Sequence, residues 1–208
     1  MSEMSEIPDY FTATNTAYEF LIAQKEFSFP ISVFGMISRM NNVRLHTFSQ
    51  LIEKGLTLHD IYTELVTPSE HGFTAGLKSS NNYIIYYNDL KDETTIRFTL
   101  AHELGHILLG HKKDGEKEKK EANCFARNLL CPIPAVEGFK AVTINEYQQY
   151  FFVSETMADV AKNHVGSDKY YITNQNYNNY NDHVICDLYG ISMAELYGLP
   201  KEYNELFA

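Results

Sequence analysis

The segment Ile96 to Leu109 is the strongest constraint on how this chain can fold. It is apolar and helix-compatible, yet it carries Ala101-His102-Glu103-Leu104-Gly105-His106. Phe98, Leu100, Ala101, Leu104, Ile107 and Leu108 imply a buried helix. On a helix His102 and His106, four residues apart, lie on one face and one turn apart. Burying two His and a Glu without partners is costly, so the segment must give them something to bind. Two imidazoles so placed can hold one Zn²⁺ at roughly 2.0–2.1 Å each. Glu103 is badly placed to ligate that ion but can reach a water bound to it, which makes it the catalytic candidate. Gly105 costs about 1 kcal/mol relative to Ala inside a helix. That cost implies that another part of the chain approaches the backbone closely at this point.

The net charge of -10 argues against a nucleic-acid-binding face. Met1 to Asp9 is polar and acidic, without a leader pattern, and no apolar run reaches 18 residues. A soluble, cytoplasmic protein with no membrane partner is expected. Three Cys, an odd number, fit a reducing compartment.

Periodicity predicts helices over Tyr10–Phe27, from Pro30 as N1 through Met40, over Leu58–Leu65, from an Asp92 N-cap to about His111, and over Glu116–Leu130. Asn145–Phe152, Ser154–Val165 and Ser192–Leu199 read as shorter helices. Strands are expected at Val43–Phe48, Gly72–Leu77 and Tyr83–Tyr87. Residues 174–182 form an Asn/Tyr-rich loop. The expected organisation is a disordered stretch over 1–8, one domain over 9–170 with its core at 72–136, and a C-terminal extension over 171–208 packed on that domain.

A zinc hydrolase needs a third protein ligand. The H-E-x-x-H-x-x-G-x-x-H pattern would require Gly at 109 and His at 112, which here are Leu109 and Lys112. His111, five residues past His106, is rotated off the ligand face and reads as a polar residue favoured at a helix C-terminus. The next helix offers Glu116, Glu118 and Glu121. Its apolar face is Ala122, Phe125, Ala126 and Leu129, with Glu118 near the middle of that face and Glu121 near its edge. Spacing does not choose between them.

Arg97-Phe98-Thr99-Leu100-Ala101-His102-Glu103-Leu104-Gly105-His106, followed by Glu121-Ala122-Asn123-Cys124-Phe125-Ala126-Arg127-Asn128-Leu129-Leu130-Cys131-Pro132, resembles the ImmA/IrrE family of bacterial metallopeptidases. That family shows R-F-T-x-A-H-E-x-x-H and then E-A-N-x-F-A-x-x-L-L-x-P. The resemblance covers roughly residues 72–136. It implies a gluzincin-like zinc centre whose third ligand is Glu121, beside His102 and His106. It implies an α+β fold, mostly helical and zincin-like, with a small antiparallel or mixed sheet beside the motif helix. It also implies a protease dedicated to one protein, a helix-turn-helix repressor of a phage or mobile element. The competing expectation is a zinc-fold regulatory binding protein or stress-response regulator without broad turnover. Tyr83–Tyr87 is expected to offer its edge to a substrate strand. His71 and Tyr87 are the candidates for stabilising the oxyanion.

Overall fold

In the structure, a computed structural model, the described residues are 7–25, 28–63, 70–76, 81–113, 115–173, 186–187, 189–196 and 199–203. Helices dominate. In chain order the elements are α1 (Tyr10–Gln24), α2 (Val33–Ser38), β1 (Val43–Thr47), α3 (Phe48–Glu53), α4 (Leu58–Thr63), β2 (Gly72–Gly76), β3 (Tyr83–Tyr87), α5 (Glu93–Leu108), α6 (Glu116–Leu130), α7 (Ile133–Phe139), α8 (Ile144–Phe151), α9 (Glu155–Thr173) and α10 (Met193–Leu196). The strands form one mixed sheet in the order β1-β3-β2, with β1 parallel and β2 antiparallel to β3. This is the expected α+β arrangement, a mostly helical fold with a small mixed sheet. No helix among the described residues is long and apolar enough to cross a membrane.

The core is built where α5 and α1 pack on α6. Leu100, Ala101 and Leu104 of α5 are buried against Phe125, Ala126 and Leu129 of α6, with Ala13, Ala17 and Leu21 of α1 in the same cluster. Gly105 shows why α5 tolerates a glycine. A Cβ there would meet the Phe125 ring at 3.0 Å and the Ala122 Cα at 3.3 Å. The backbone approach implied by the sequence is therefore that of α6. Cys186, Met193, Ala194 and Leu196 join the same cluster from the C-terminal region.

Two buried guanidinium groups tie the outer elements to this centre. Arg97 donates to the carbonyls of Ile31 at 2.8 Å and of Phe151 and Phe152 at 3.2 Å each. It thereby pins the segment before α2 and the α8–α9 junction to the start of α5. Arg127 of α6 makes a forked pair with Asp168 of α9, Nη2 to Oδ1 at 2.6 Å and Nε to Oδ2 at 2.5 Å.

Several expected boundaries move. Helix α1 stops at Gln24, because Lys25 turns left-handed at φ 52°. Helix α2 starts after Ser32, whose hydroxyl accepts the Gly35 N–H, so Pro30 is not its N1 residue. The strand ends at Thr47 because Thr47 and Gln50 form a capping box that opens α3, a helix the periodicity did not indicate. Helix α6 ends at Leu130 with Pro132 just beyond it, and Pro134 sits in the first turn of α7, where a missing N–H costs nothing. Helix α9 continues well past Val165 to Thr173. Strand β3 lies in the middle of the sheet, paired on both sides, so it cannot offer an edge to a substrate. Leu65, Leu77 and the loop 174–182 fall outside the described residues.

Candidate active site

Helix α5 is fixed at both ends by its own sequence. At its start, Asp92 accepts the Thr95 N–H at 2.9 Å and the hydroxyls of Thr94 and Thr95. At its end, Gly110 takes φ +69° and its N–H bonds to Ile107 O at 3.1 Å, while His111 N–H bonds to His106 O at 3.0 Å. These two bonds are the Schellman closure, in which the second residue past the cap folds back onto the last turn. Expecting the helix to run to His111 was therefore wrong: it ends at Leu108, and the chain reverses at Gly110.

The reversal brings five side chains into one file. Asn123 Oδ1 lies 2.8 Å from His102 Nδ1, and His102 Nε2 lies 3.0 Å from His106 Nε2. His106 Nδ1 is 3.0 Å from His111 Nδ1, and His111 Nε2 is 2.9 Å from Glu121 Oε2. Both ends of the file are acceptors, an amide oxygen and a carboxylate. With all three rings neutral, they supply one N–H each for the four contacts of the file. His102 must use its proton on Asn123 and His111 must use its proton on Glu121. His111 Nδ1 is then an acceptor, so His106 donates to it. In that state the Nε2 lone pairs of His102 and His106 face each other across 3.0 Å. That gap calls for a cation. Loss of solvent around the His102 ring, opposed by its bond to Asn123, pushes its pKa down to about 4, so a proton is poorly held there at neutral pH. Two imidazole nitrogens and a neighbouring carboxylate suit a zinc-like divalent ion.

Glu103 is buried beside this pair, and Thr74 of β2 donates its hydroxyl to Glu103 Oε2 at 2.7 Å. Glu121 is buried too. Its Oε1 accepts the Asp9 backbone N–H at 2.6 Å, from the N-cap of α1. Glu118 lines the same cavity as His111 and Glu121, but no hydrogen bond joins it to the file, and its buried Oε2 has no hydrogen-bond partner among the described residues. Its Oε2 folds back over the start of α6, only 2.5 Å from where a Cβ on Gly115 would stand, and its Oε1 lies 3.6 Å from Lys113 Nζ. Glu116 opens the first turn of α6.

His102 and His106 are thus brought into direct contact, while Glu121 reaches them through His111. Among the described residues, no three His, Cys, Asp or Glu side chains are already gathered into a metal cage. His71 lies half exposed, 3.6 Å from Glu70, and Tyr87 packs edge-on to Phe34 at 5.8 Å. A cavity of about 450 Å³ opens on the Glu121 side of the file, between α1 and the α5–α6 turn. Reading the sequence missed the parts played by Thr74, Asn123, His111 and Asp9. For His111 a signal existed: Gly110 as the residue after the helix cap places the following side chain against His106.

The family description of the IrrE N-terminal-like domain of peptidase family M78 matches residues 54–161, more than half of the chain. No curated protein matches it. The match contains α5, α6 and the whole histidine file, and the chain belongs to the M78 (IrrE N-terminal-like) family of metallopeptidases.

Proposed function

We propose that the chain is a zinc-dependent metalloendopeptidase in which His102, His106 and Glu121 hold the ion and Glu103 is the general base. The observation that carries this reading is the facing pair of imidazole nitrogens, 3.0 Å apart, with a buried carboxylate one residue along the helix. The resemblance of Glu121-Ala122-Asn123 to the E-A-N motif of the family supports Glu121 over Glu118 as the third ligand. Bound there, zinc would polarise the scissile carbonyl and acidify the attacking water. Glu103 takes the proton of that water and delivers it to the leaving amine. Thr74 holds one oxygen of Glu103 by its hydroxyl, which fixes the carboxylate rotamer along α5. Asn123 fixes the His102 ring so that Nε2 presents its lone pair.

The proposed substrate is a single protein, a helix-turn-helix repressor of a phage or mobile element. The resemblance of the two motifs to the ImmA/IrrE family supports that choice. A folded repressor exposes extended backbone at an interdomain linker or a fraying helix, so the cut is expected there.

The test has two arms. Purified protein is analysed for zinc, then incubated with the repressor encoded beside its gene and, separately, with casein. One zinc per chain with one or a few cuts in the repressor, mapped by mass spectrometry, is the expected result. Digestion of casein as well would make it a general peptidase. Zinc binding with no cleavage of either protein would leave a regulatory zinc fold.

A further inference from the structure

We propose that His111 is a positioning residue of the metal centre: its imidazole ties His106 to Glu121 and fixes which nitrogen of His106 faces the ion. The inference rests on the zinc reading above and extends it to a residue outside the ligand set.

The local backbone explains why His111 is there. Gly110 and the two closing bonds of α5 fold the chain back by one turn. The side chain two residues past the helix cap then lies on the one three residues inside it, commonly as an apolar contact. Here the contact is made by two imidazoles, with ring centroids 4.9 Å apart and planes at 77°. That edge-on arrangement points Nδ1 of one ring at Nδ1 of the other, at 3.0 Å. The far side of His111 meets the Glu121 carboxylate at 2.9 Å, and both side chains are only 8% exposed. Water therefore has little room to replace either bond.

The proton count gives the contact its direction. With His111 neutral, Glu121 takes its Nε2 proton and leaves Nδ1 as an acceptor. His106 must then donate from Nδ1 and present its Nε2 lone pair toward His102. Rotating the His106 ring by half a turn would break that bond and turn a carbon toward the ion. His111 acts on Glu121 as well. A carboxylate has about four acceptor positions. His111 and the Asp9 N–H take one on each oxygen, and Lys117 Nζ lies 4.0 Å from Oε1, so a position on Oε2 is the one open to a metal. One ring thus holds two proposed ligands at once, one from each helix of the site. Partners of metal-binding groups typically contribute about 10–100-fold to metal affinity.

The experiment measures zinc affinity of the full-length protein by competition with a chromophoric chelator, for wild type, His111→Ala, His111→Phe and His102→Ala. His111→Phe keeps a ring packed on His106 but offers neither donor nor acceptor, so it separates packing from hydrogen bonding. The expected result is one zinc per chain in both His111 variants, bound about 10–100-fold more weakly than in wild type. His102→Ala should lose the site altogether. Affinity in His111→Phe within twofold of wild type would overturn the proposal. So would loss of zinc as complete as in His102→Ala, because His111 would then be a ligand itself. Nitrogen-15 spectra of the zinc-loaded wild type give a second readout, with His106 expected to carry its proton on Nδ1 and His111 on Nε2. The opposite tautomer at His111 would also overturn it. A wild-type protein that binds no zinc in either measurement would instead overturn the metal reading on which this proposal stands.

Discussion

The hydroxyl of Thr74 lies 2.7 Å from Oε2 of Glu103, joining the antiparallel strand β2 to the helix that carries both histidines. The bond is charge-assisted and lies against a carboxylate that is 9% exposed. Removing it should cost about 1.5–3 kcal/mol of positioning, or roughly 10–100-fold in turnover. Thr74→Val is therefore expected to lower kcat on the repressor with zinc content unchanged. Thr74→Ser, which keeps the hydroxyl, should restore most of it. Equal activity in all three proteins would show that Glu103 needs no such support.

Glu103→Gln tests the base itself. Gln fits the same space and can still accept from Thr74, so fold and zinc content should persist. Turnover should fall by a factor on the order of 10² or more, because the amide cannot take a proton from water. Wild-type cleavage by this variant would rule out the proposed role of Glu103.

The carboxylates of α6 can be separated by metal analysis. Glu121→Ala should lose most bound zinc, together with the anchors of Asp9 and His111. Glu118→Ala should keep it, since that side chain is turned back toward Gly115 and Lys113. The reverse pattern would move the third ligand to Glu118.

How much of this could be read in the sequence depends on how local each cause is. The α5 N-cap, the apolar stripe of α6 and the need for a close neighbour at Gly105 all follow from residues within a few positions of one another, and all appear in the structure. The α3 capping box was just as local: Thr47 and Gln50 carried the signal, but alternation of apolar residues into Phe48 masked it. The Thr74–Glu103 and Asp9–Glu121 contacts span 29 and 112 residues. No periodicity encodes such pairings, and they exist only once the sheet lies on α5 and α1 lies on α6. His111 falls between these cases. Helical rotation placed it off the ligand face, which would hold for a helix that continued, but Gly110 ends the helix and folds His111 back.

Arg127 and Asp168 form a buried ion pair between α6 and α9, with side chains 9% and 2% exposed. Removing one partner strands the other charge in the interior. Asp168→Ala should destabilise the fold by about 3–5 kcal/mol. Thermal unfolding of Asp168→Ala, Arg127→Met and the double variant would measure this. The double variant should be less damaged than the sum of the single ones, because neither charge is left unpaired. Simple additivity would mean that the two groups do not act as a pair.

Asp92 should make the stability of the site helix depend on pH. Hydrogen bonds from the hydroxyls of Thr94 and Thr95 and from the Thr95 N–H hold its carboxyl well below the usual carboxylate range. The folded state therefore favours the ionised form more than the unfolded state does. Its contribution is complete above the unfolded value, near pH 4, and is lost as pH falls from there toward the lower folded value. Asp92→Ala should cost about 1 kcal/mol at neutral pH through loss of the cap. Asp92→Asn keeps a side-chain oxygen for the Thr95 N–H but does not ionise. Its stability difference from wild type should shrink as pH falls from 5 to 2, as measured by chemical denaturation. A difference that stayed constant over that range would mean that the charge on Asp92 plays no part in holding the start of α5.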